Sequence, residues 1–350
     1  MDYGIVLFSG VDSWRTAKRA EELGFSTVWF YDSQLLCADV FVSMALAAEH
    51  TKRVKLGTGV LVPTNRLAPV AANGFASLSR IAPGRIVFGV GTGFTARNTM
   101  GLGPMRLSDL REYVTVVQAL LLGETAECKL DGKGRKIRFL NPELDLINLK
   151  DRVPVHFSAF APKARALTAE LGDGWITFMS KPEQALSELD KVHASCRAIG
   201  RDPKSLDATA FSLGCVLAPG ESADGPRAMA QAGPWIPVLF HAFVEQSVDE
   251  ILPPEIKESI GDFRKLVESY EPKDARYLTL HRGHLAFVRA EERRFVTGER
   301  LRAFSLTGTV EDLRERIRRL RDGGFTQLAI QLVPGQESAI EDWAGVFERV

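Results

Sequence analysis

The sequence predicts a (β/α)8 (TIM) barrel, and three observations carry that prediction. Eight short apolar runs of strand length alternate with amphipathic helical stretches along the 350 residues, the order of a parallel sheet wound by crossover helices. Two of those runs, within residues 53–94, each end in a Gly-Thr-Gly, at Gly57-Thr58-Gly59 and Gly91-Thr92-Gly93. Glycines at strand ends let the backbone turn sharply and approach a ligand closely. The rival fold, an open doubly wound sheet, usually has fewer strands and opens on a GxGxxG turn that this chain lacks.

The chain opens on GIVLF, a short apolar run of a buried strand. Asp12 or Ser13 can cap the helix that follows, where Trp14, Ala17, Ala20 and Leu23 keep helical spacing up to Gly24. STVWFY is the second strand and closes at Asp32, and a helix over 39–51 follows it. The third strand, VKLGTGVLV, carries on past Gly59 as though bulged. A helix over 69–81 then leads to GRIVFGVG, the fourth strand. Residues 108–122 read as a helix with Leu110, Tyr113, Val114, Val117 and Leu121 on one face.

Residues 124–151 break into short alternating pieces around Gly132 and Gly134, a hairpin excursion. The regular pattern resumes with VPVHFSAF, a helix over 162–171, GWITF, a helix over 182–199 and DATAFSLGCVLA. A helix over 310–322, the strand TQLAIQLV and a last helix complete the count. Residues 219–305 are too long for a simple connection. They hold two helical stretches, 226–246 and 254–270, and the motif LTLHRGHLAFV. Because they follow the seventh strand, they are expected to cap the catalytic end as a lid within one domain spanning 1–350.

Forty-four basic residues balance 44 acidic ones, so no nucleic acid or anionic membrane is expected as a partner. No apolar run approaches the roughly 18 residues of a membrane span, and Asp2 sits where a signal peptide would carry positive charge. Cys37, Cys128, Cys196 and Cys215 are widely spaced and read as reduced core thiols. The expectation is a cytoplasmic protein.

In a parallel barrel the site lies at the C-terminal strand ends. Those ends carry Ser9 and Gly10, Asp32 to Gln34, residues 59–66, 91–94, 158–163 and 177–180. The bulge at Gly59-Val60 is either an ordinary one or backbone set against a ligand ring. At the fifth strand end, small residues lead into a helix whose first turn holds Pro162. Its amides, with Lys163, suit a phosphate. Asp32 is either a cap for the next loop or a group lining the site. His281 and His284 stand i, i+3 around Arg282, a spacing that suits metal ligands. No carboxylate lies within three residues of either, and the first strand has no HxH, so no metal is expected. The pair reads as a lid contact or as acid–base groups over the pocket, and His156 as a core or rim histidine. There is no GxSxG, and no cysteine at a strand end with a histidine beside it. A cofactor is therefore expected to carry the chemistry.

These stretches resemble the luciferase-like flavin-dependent oxidoreductase superfamily, and within it proteins similar to methylenetetrahydromethanopterin reductase. The matching pieces are AEELGFSTVWFYDSQ, LGTGVLVPTNRLAPVAANGFASLSRIAPGRIVFGVGTG, RLSDLREYVTVVQALLLGE, APKARALTAELGDGWIT and LTGTVEDLRERIRRLRDGGFTQLAIQLVPG. The resemblance implies a barrel that binds reduced FMN or the deazaflavin coenzyme F420 at its C-terminal rim. It implies a non-proline cis peptide at Gly59-Val60 behind the ring, with Asp32, Ser33 and Gln34 near it. The cofactor phosphate would sit at Gly91, Thr92 and Gly93 or, preferably, on Ala159, Ala161, Pro162 and Lys163. Relatives often carry an acidic residue where this chain has Phe94, and several deazaflavin users carry a histidine where it has Ser33. The first expectation is a monooxygenase that takes externally supplied reduced FMN and oxygen to a small organic substrate, with a separate flavin reductase as partner. F420-dependent hydride transfer is the alternative, and a non-catalytic flavin-binding relative the third reading. Family members commonly form homodimers.

Overall fold

Eight parallel strands close into a barrel in the computed structural model, which describes residues 1–246 and 252–350. Strands β1 (Asp2–Leu7), β2 (Thr27–Phe30), β3 (Lys55–Thr58) and β4 (Ile86–Val90) form its first half. Strands β5 (Ala126–Leu130) and β6 (Lys133–Ile137) pair as the expected antiparallel hairpin outside it. Strands β7 (Val155–Ser158), β8 (Gly174–Phe178) and β9 (Asp207–Ser212) resume the barrel. Strands β10 (Gly214–Val216) and β11 (Leu306–Gly308) form a separate parallel pair, and β12 (Gln327–Gln331) closes the ring against β1 and β9.

The intervening helices are α1 (Ser13–Glu22), α2 (Val40–His50), α3 (Ala68–Ile81), α4 (Phe94–Asn98), α5 (Leu107–Leu121), α6 (Pro162–Leu171) and α7 (Pro182–Ala198). Then come α8 (Pro226–Gln231), α9 (Trp235–Gln246), α10 (Pro254–Glu268), α11 (Tyr277–Leu280), α12 (Gly298–Phe304), α13 (Val310–Asp322) and α14 (Ala339–Phe347). Helix α1 ends as its sequence demands: Gly24 takes φ +86° and the Phe25 amide returns to the Ala20 carbonyl at 3.0 Å. Asp12 does not cap it, and the Ser13 hydroxyl donates instead to the Phe8 carbonyl at 2.8 Å. Among the described residues no helix is long and apolar enough to cross a membrane.

Two elements depart from the sequence reading. DATAFSLGCVLA is one run in sequence but two strands in space, because the chain leaves the barrel at Leu213 to pair with β11. A Cβ on Gly214 would lie 2.1 Å from the Leu306 carbonyl oxygen, so only glycine permits that approach. The helical stretch 226–246 divides into α8 and α9 at Gly233-Pro234, where proline supplies no backbone donor.

Apolar burial falls in two layers. The outer one packs helices on the sheet, with Phe75, Phe88, Phe157, Trp175 and Trp343 fully buried. The inner one runs from the barrel axis (Val6, Trp29, Ile176, Phe211, Ala329) into segment 219–305 (Trp235, Phe240, Phe263, Leu285). Phe178, ending β8, stacks on Trp235 at 4.3 Å between ring centroids. Segment 219–305 therefore sits on the C-terminal ends of the strands.

His156, on β7, is buried near the Trp29 indole, 5.7 Å between ring centroids. Its Nδ1 has no partner, and Nε2 lies 3.8 Å from Asp207 Oδ2. Burial pushes its pKa from 6.5 down to about 4, against the pull of Asp207. Between those values the unfolded chain takes up a proton that the folded chain refuses. Stability is thus full above pH 6.5 and falls as pH drops toward 4, by on the order of 3 kcal/mol from this group. Urea midpoints at pH 7.5 and 4.5 check this. His156→Gln is expected to flatten the pH dependence, and an unchanged slope would exclude His156 as its source.

Candidate active site at the C-terminal rim

The rim is built where β2, β3, β4 and β7 end side by side. Strand β3 stops at Thr58, the Gly59-Val60 peptide is cis, and the chain rejoins the sheet at Leu61, which bridges to Val90. The Leu61 amide donates to the Gly89 carbonyl at 2.8 Å. This is the bulged continuation expected from GTGVLV. The room beside Gly59 is occupied from inside: an added Cβ would sit 3.1 Å from both Phe211 Cε2 and Trp29 Cβ. Gly91 makes space for the next strand, since its Cβ would lie 2.9 Å from Val60 Cγ2 and 3.4 Å from Ser158 Cβ. The glycines of residues 53–94 thus bring Val60, Gly91 and Ser158 together at one edge of the barrel mouth.

Asp32, at the end of β2, is 4% exposed. Its Oδ2 accepts from the Val62 amide at 3.0 Å and from Arg66 Nη1 at 2.7 Å. Burial pushes the Asp32 carboxyl above its ordinary range, against the opposing pull of Arg66 and the Val62 amide. Arg66 also donates through Nη2 to Asp39 Oδ2 at 3.0 Å, while Asp39 Oδ1 caps α2 at the Phe41 and Val42 amides. Gln34 accepts from Asn65 Nδ2 at 2.6 Å and donates to the Ala96 carbonyl, tying the β2, β3 and β4 loops together. Ser33 stays half-buried between Asp32 and Gln34. Both uses weighed for Asp32 meet in one place: it fixes the loop after β3, and it lies at the rim.

Two helix starts near the rim lack a side-chain cap. Helix α4 follows Gly93, which takes φ +80°, but it has only five residues. Helix α6 begins at Pro162 with Ala161 as its uncapped N-cap. Ala161, Pro162 and Lys163 are exposed there, whereas Ala159 is buried and its carbonyl accepts from Trp175 Nε1 at 2.8 Å. Pro162 has no amide to give and the Ala164 amide donates to the Ala161 carbonyl at 2.9 Å, so the α6 start offers the Lys163 amide and the lysine charge, donors that fit a phosphate group.

His281 and His284 lie in the turn after α11, and both are buried rather than open to the barrel mouth. His284 Nε2 is 3.1 Å from Thr95 Oγ1 of α4, and His281 Nε2 is 2.8 Å from Glu245 Oε1 of α9. The turn itself is held by β12: Gln331 Nε2 donates to the Leu285 carbonyl at 2.8 Å, and Gln331 Oε1 accepts from Tyr31 OH at 2.6 Å. Sequence reasoning missed Gln331, His241, Glu245 and Glu292. Gln331 had a signal, a polar residue inside an apolar barrel strand. His241 and Glu245, four apart on an apolar helix, had a weaker one.

A closed eight-stranded parallel barrel with its strand ends gathered at a C-terminal rim defines a TIM-barrel scaffold. A sequence profile of the luciferase-like monooxygenase family matches residues 12–327, and the chain belongs to that family. It is 29% identical over 334 residues to a 5,10-methylenetetrahydromethanopterin reductase of Methanolobus tindarius, covering 93% of this chain and 92% of that protein. It is 28% identical over 300 residues to an F420-dependent glucose-6-phosphate dehydrogenase of Microbacterium testaceum, covering 77% and 84%. The coenzyme F420-dependent tetrahydromethanopterin reductase structure from Methanopyrus kandleri superposes with a TM-score of 0.71 at 20% identity, over 98% of this chain and 97% of that one. These relatives are named oxidoreductases.

Proposed function

We propose that this chain is an F420-dependent oxidoreductase acting on a small organic substrate. The observation that carries the reading is the likeness, at 28–29% identity over 77–93% of this chain, to a methylenetetrahydromethanopterin reductase and an F420-dependent dehydrogenase. The bound deazaflavin would supply the hydride carrier. In this reading the α6 start with Lys163 holds the phosphate, while Gly59-Val60 backs the ring beside Gly91. Asp32, buried and bonded to Arg66, fixes the β3 loop that carries that backing. Ser33 and Gln34 line the ring edge.

The sequence-led first expectation, oxygenation with reduced FMN, is the competing outcome of one experiment. Purified chain is titrated with F420 and with reduced FMN by fluorescence, and oxygen uptake is followed with each. F420 is expected to bind more tightly than FMN, with no oxygen consumed. Tight binding of reduced FMN alone, with oxygen consumption, would replace hydride transfer by the monooxygenase. Binding without turnover across reductants and candidate substrates would favour the non-catalytic reading.

A further inference from the structure

We propose that His241, His281 and His284 form a three-histidine site for a divalent transition metal of the Zn2+ class, at the base of segment 219–305. The three rings meet from two elements: His241 comes from α9, and His281 and His284 from the turn after α11. All three are buried, at 2%, 2% and 6% exposure. Their ring centroids stand 6.0, 6.2 and 5.7 Å apart, and one ring nitrogen from each lies within 4.8 Å of the other two. Among the described residues no fourth histidine, cysteine or carboxylate joins the group.

The hydrogen bonding gives the cluster its direction. Nε2 of His241 is bonded to Glu292 Oε1 at 2.9 Å, Nε2 of His281 to Glu245 Oε1 at 2.8 Å, and Nε2 of His284 to Thr95 Oγ1 at 3.1 Å. The two carboxylates are in turn anchored, Glu245 by Asn98 Nδ2 at 2.9 Å and Glu292 by Arg289 Nε at 3.1 Å. All three Nδ1 atoms are buried with no hydrogen-bond partner. A carboxylate can only accept, so His241 and His281 carry a proton on Nε2, and in the neutral ring Nδ1 is then a bare lone pair. Imidazoles whose outer nitrogen donates to a carboxylate while the inner one is left free have the arrangement that orients metal ligands.

One water cannot replace the ion if all three Nδ1 atoms are bare, since it has only two protons to donate. The competing arrangement is a metal-free triad in which His284 carries its proton on Nδ1 and shares it with a neighbour. A tetrahedral ion with bonds of about 2.0–2.1 Å holds its ligand nitrogens roughly 3.4 Å apart. The rings therefore draw together by about an ångström on loading, and the fourth position is left to water or an incoming ligand. The inference does not depend on which cofactor the barrel takes. Sequence spacing pointed away from a metal because His241 and Glu245 lie far from the HxxH pair along the chain and no carboxylate stands within three residues of it.

The test uses the untagged full chain. After chelator treatment and dialysis, Zn2+ is expected to bind at one per chain by elemental analysis and to raise the melting temperature. Co2+ is expected to give the visible absorption of a tetrahedral nitrogen site. Glu245→Gln weakens Zn2+ binding roughly 10–100-fold, and His281→Gln or His284→Gln weakens it further. Because a buried histidine variant can fail to fold, imidazole 15N shifts on the wild-type chain give an independent readout. On loading, the Nδ1 resonances of all three rings move while Nε2 of His241 and His281 stays protonated. A folded wild-type chain without stoichiometric Zn2+ or shifted Nδ1 resonances would overturn the proposal. So would full Zn2+ binding by a folded His281→Gln/His284→Gln chain.

Discussion

Arg66→Ala is expected to destabilise the protein by about 3–5 kcal/mol, because it breaks a buried ion pair and leaves the carboxylate behind. Asp32 is 4% exposed and keeps only the Val62 amide once Arg66 is gone. The same guanidinium reaches Asp39, the cap of α2, and lies over the Phe41 ring at 5.0 Å. One substitution therefore loosens the end of β2, the start of α2 and the loop after β3 together. Arg66→Lys keeps the charge but cannot hold both carboxylates in one planar fork, so it recovers only part of the loss. The pH dependence has a definite sign. Without Arg66 the folded pKa of Asp32 rises further above its unfolded value, so the folded state accepts a proton more readily than the unfolded one. The deficit narrows as pH falls through that raised value and is largest at neutral pH. Urea denaturation across pH measures both, and an unchanged midpoint at pH 7 would show that Arg66 is dispensable.

Glu292→Ala is expected to cost a similar amount, about 3–5 kcal/mol, for the converse reason. Glu292 is 1% exposed and accepts from His241, from Arg289 and from Tyr270 OH. Its loss strands Arg289, 5% exposed and stacked over the Tyr270 ring at 4.6 Å, with Glu291 as its remaining carboxylate. Burial pushes the Glu292 carboxyl up, but the His241 and Arg289 hydrogen bonds outweigh it and hold the pKa below the ordinary 4.5. A carboxylate held low contributes stability above its unfolded pKa and loses it as pH falls through the folded value. The variant therefore loses most at neutral pH, and the gap to the wild type closes in acid. Glu292→Gln preserves the volume and one acceptor and should fall between the two. A loss below about 1 kcal/mol for Glu292→Ala would mean that Arg289 finds water or another partner.

The barrel itself was legible because its signal is local and repeated. Each βα unit carries a short apolar run and a helical stripe, and eight of them in series leave little choice of topology. The third strand's continuation past Gly59 was also legible, as a strand that failed to stop at its glycine. The split of DATAFSLGCVLA at Leu213 was not, because it depends on where Leu306, far along the chain, presents its carbonyl oxygen. The rim glycines were read as places where backbone can approach a ligand; that a Cβ on Gly59 would meet Trp29 and Phe211 was not legible, because only the closed barrel brings those rings there.

The same divide runs through the site. Asp32 at the end of an apolar strand announced itself, whereas its partner Arg66 was one basic residue among many in a loop. His281 and His284 were visible as a pair, but their three-residue spacing gave no hint of His241, Glu245 and Glu292. By itself the sequence determined the barrel and the family to which the chain belongs. Those follow from periodicity and from stretches whose order along the chain is their information. Tertiary structure decided which charges are buried together and which lone pairs lack a partner. Those depend on distances between residues that closure of the barrel, and nothing in their spacing, brings within a few ångströms.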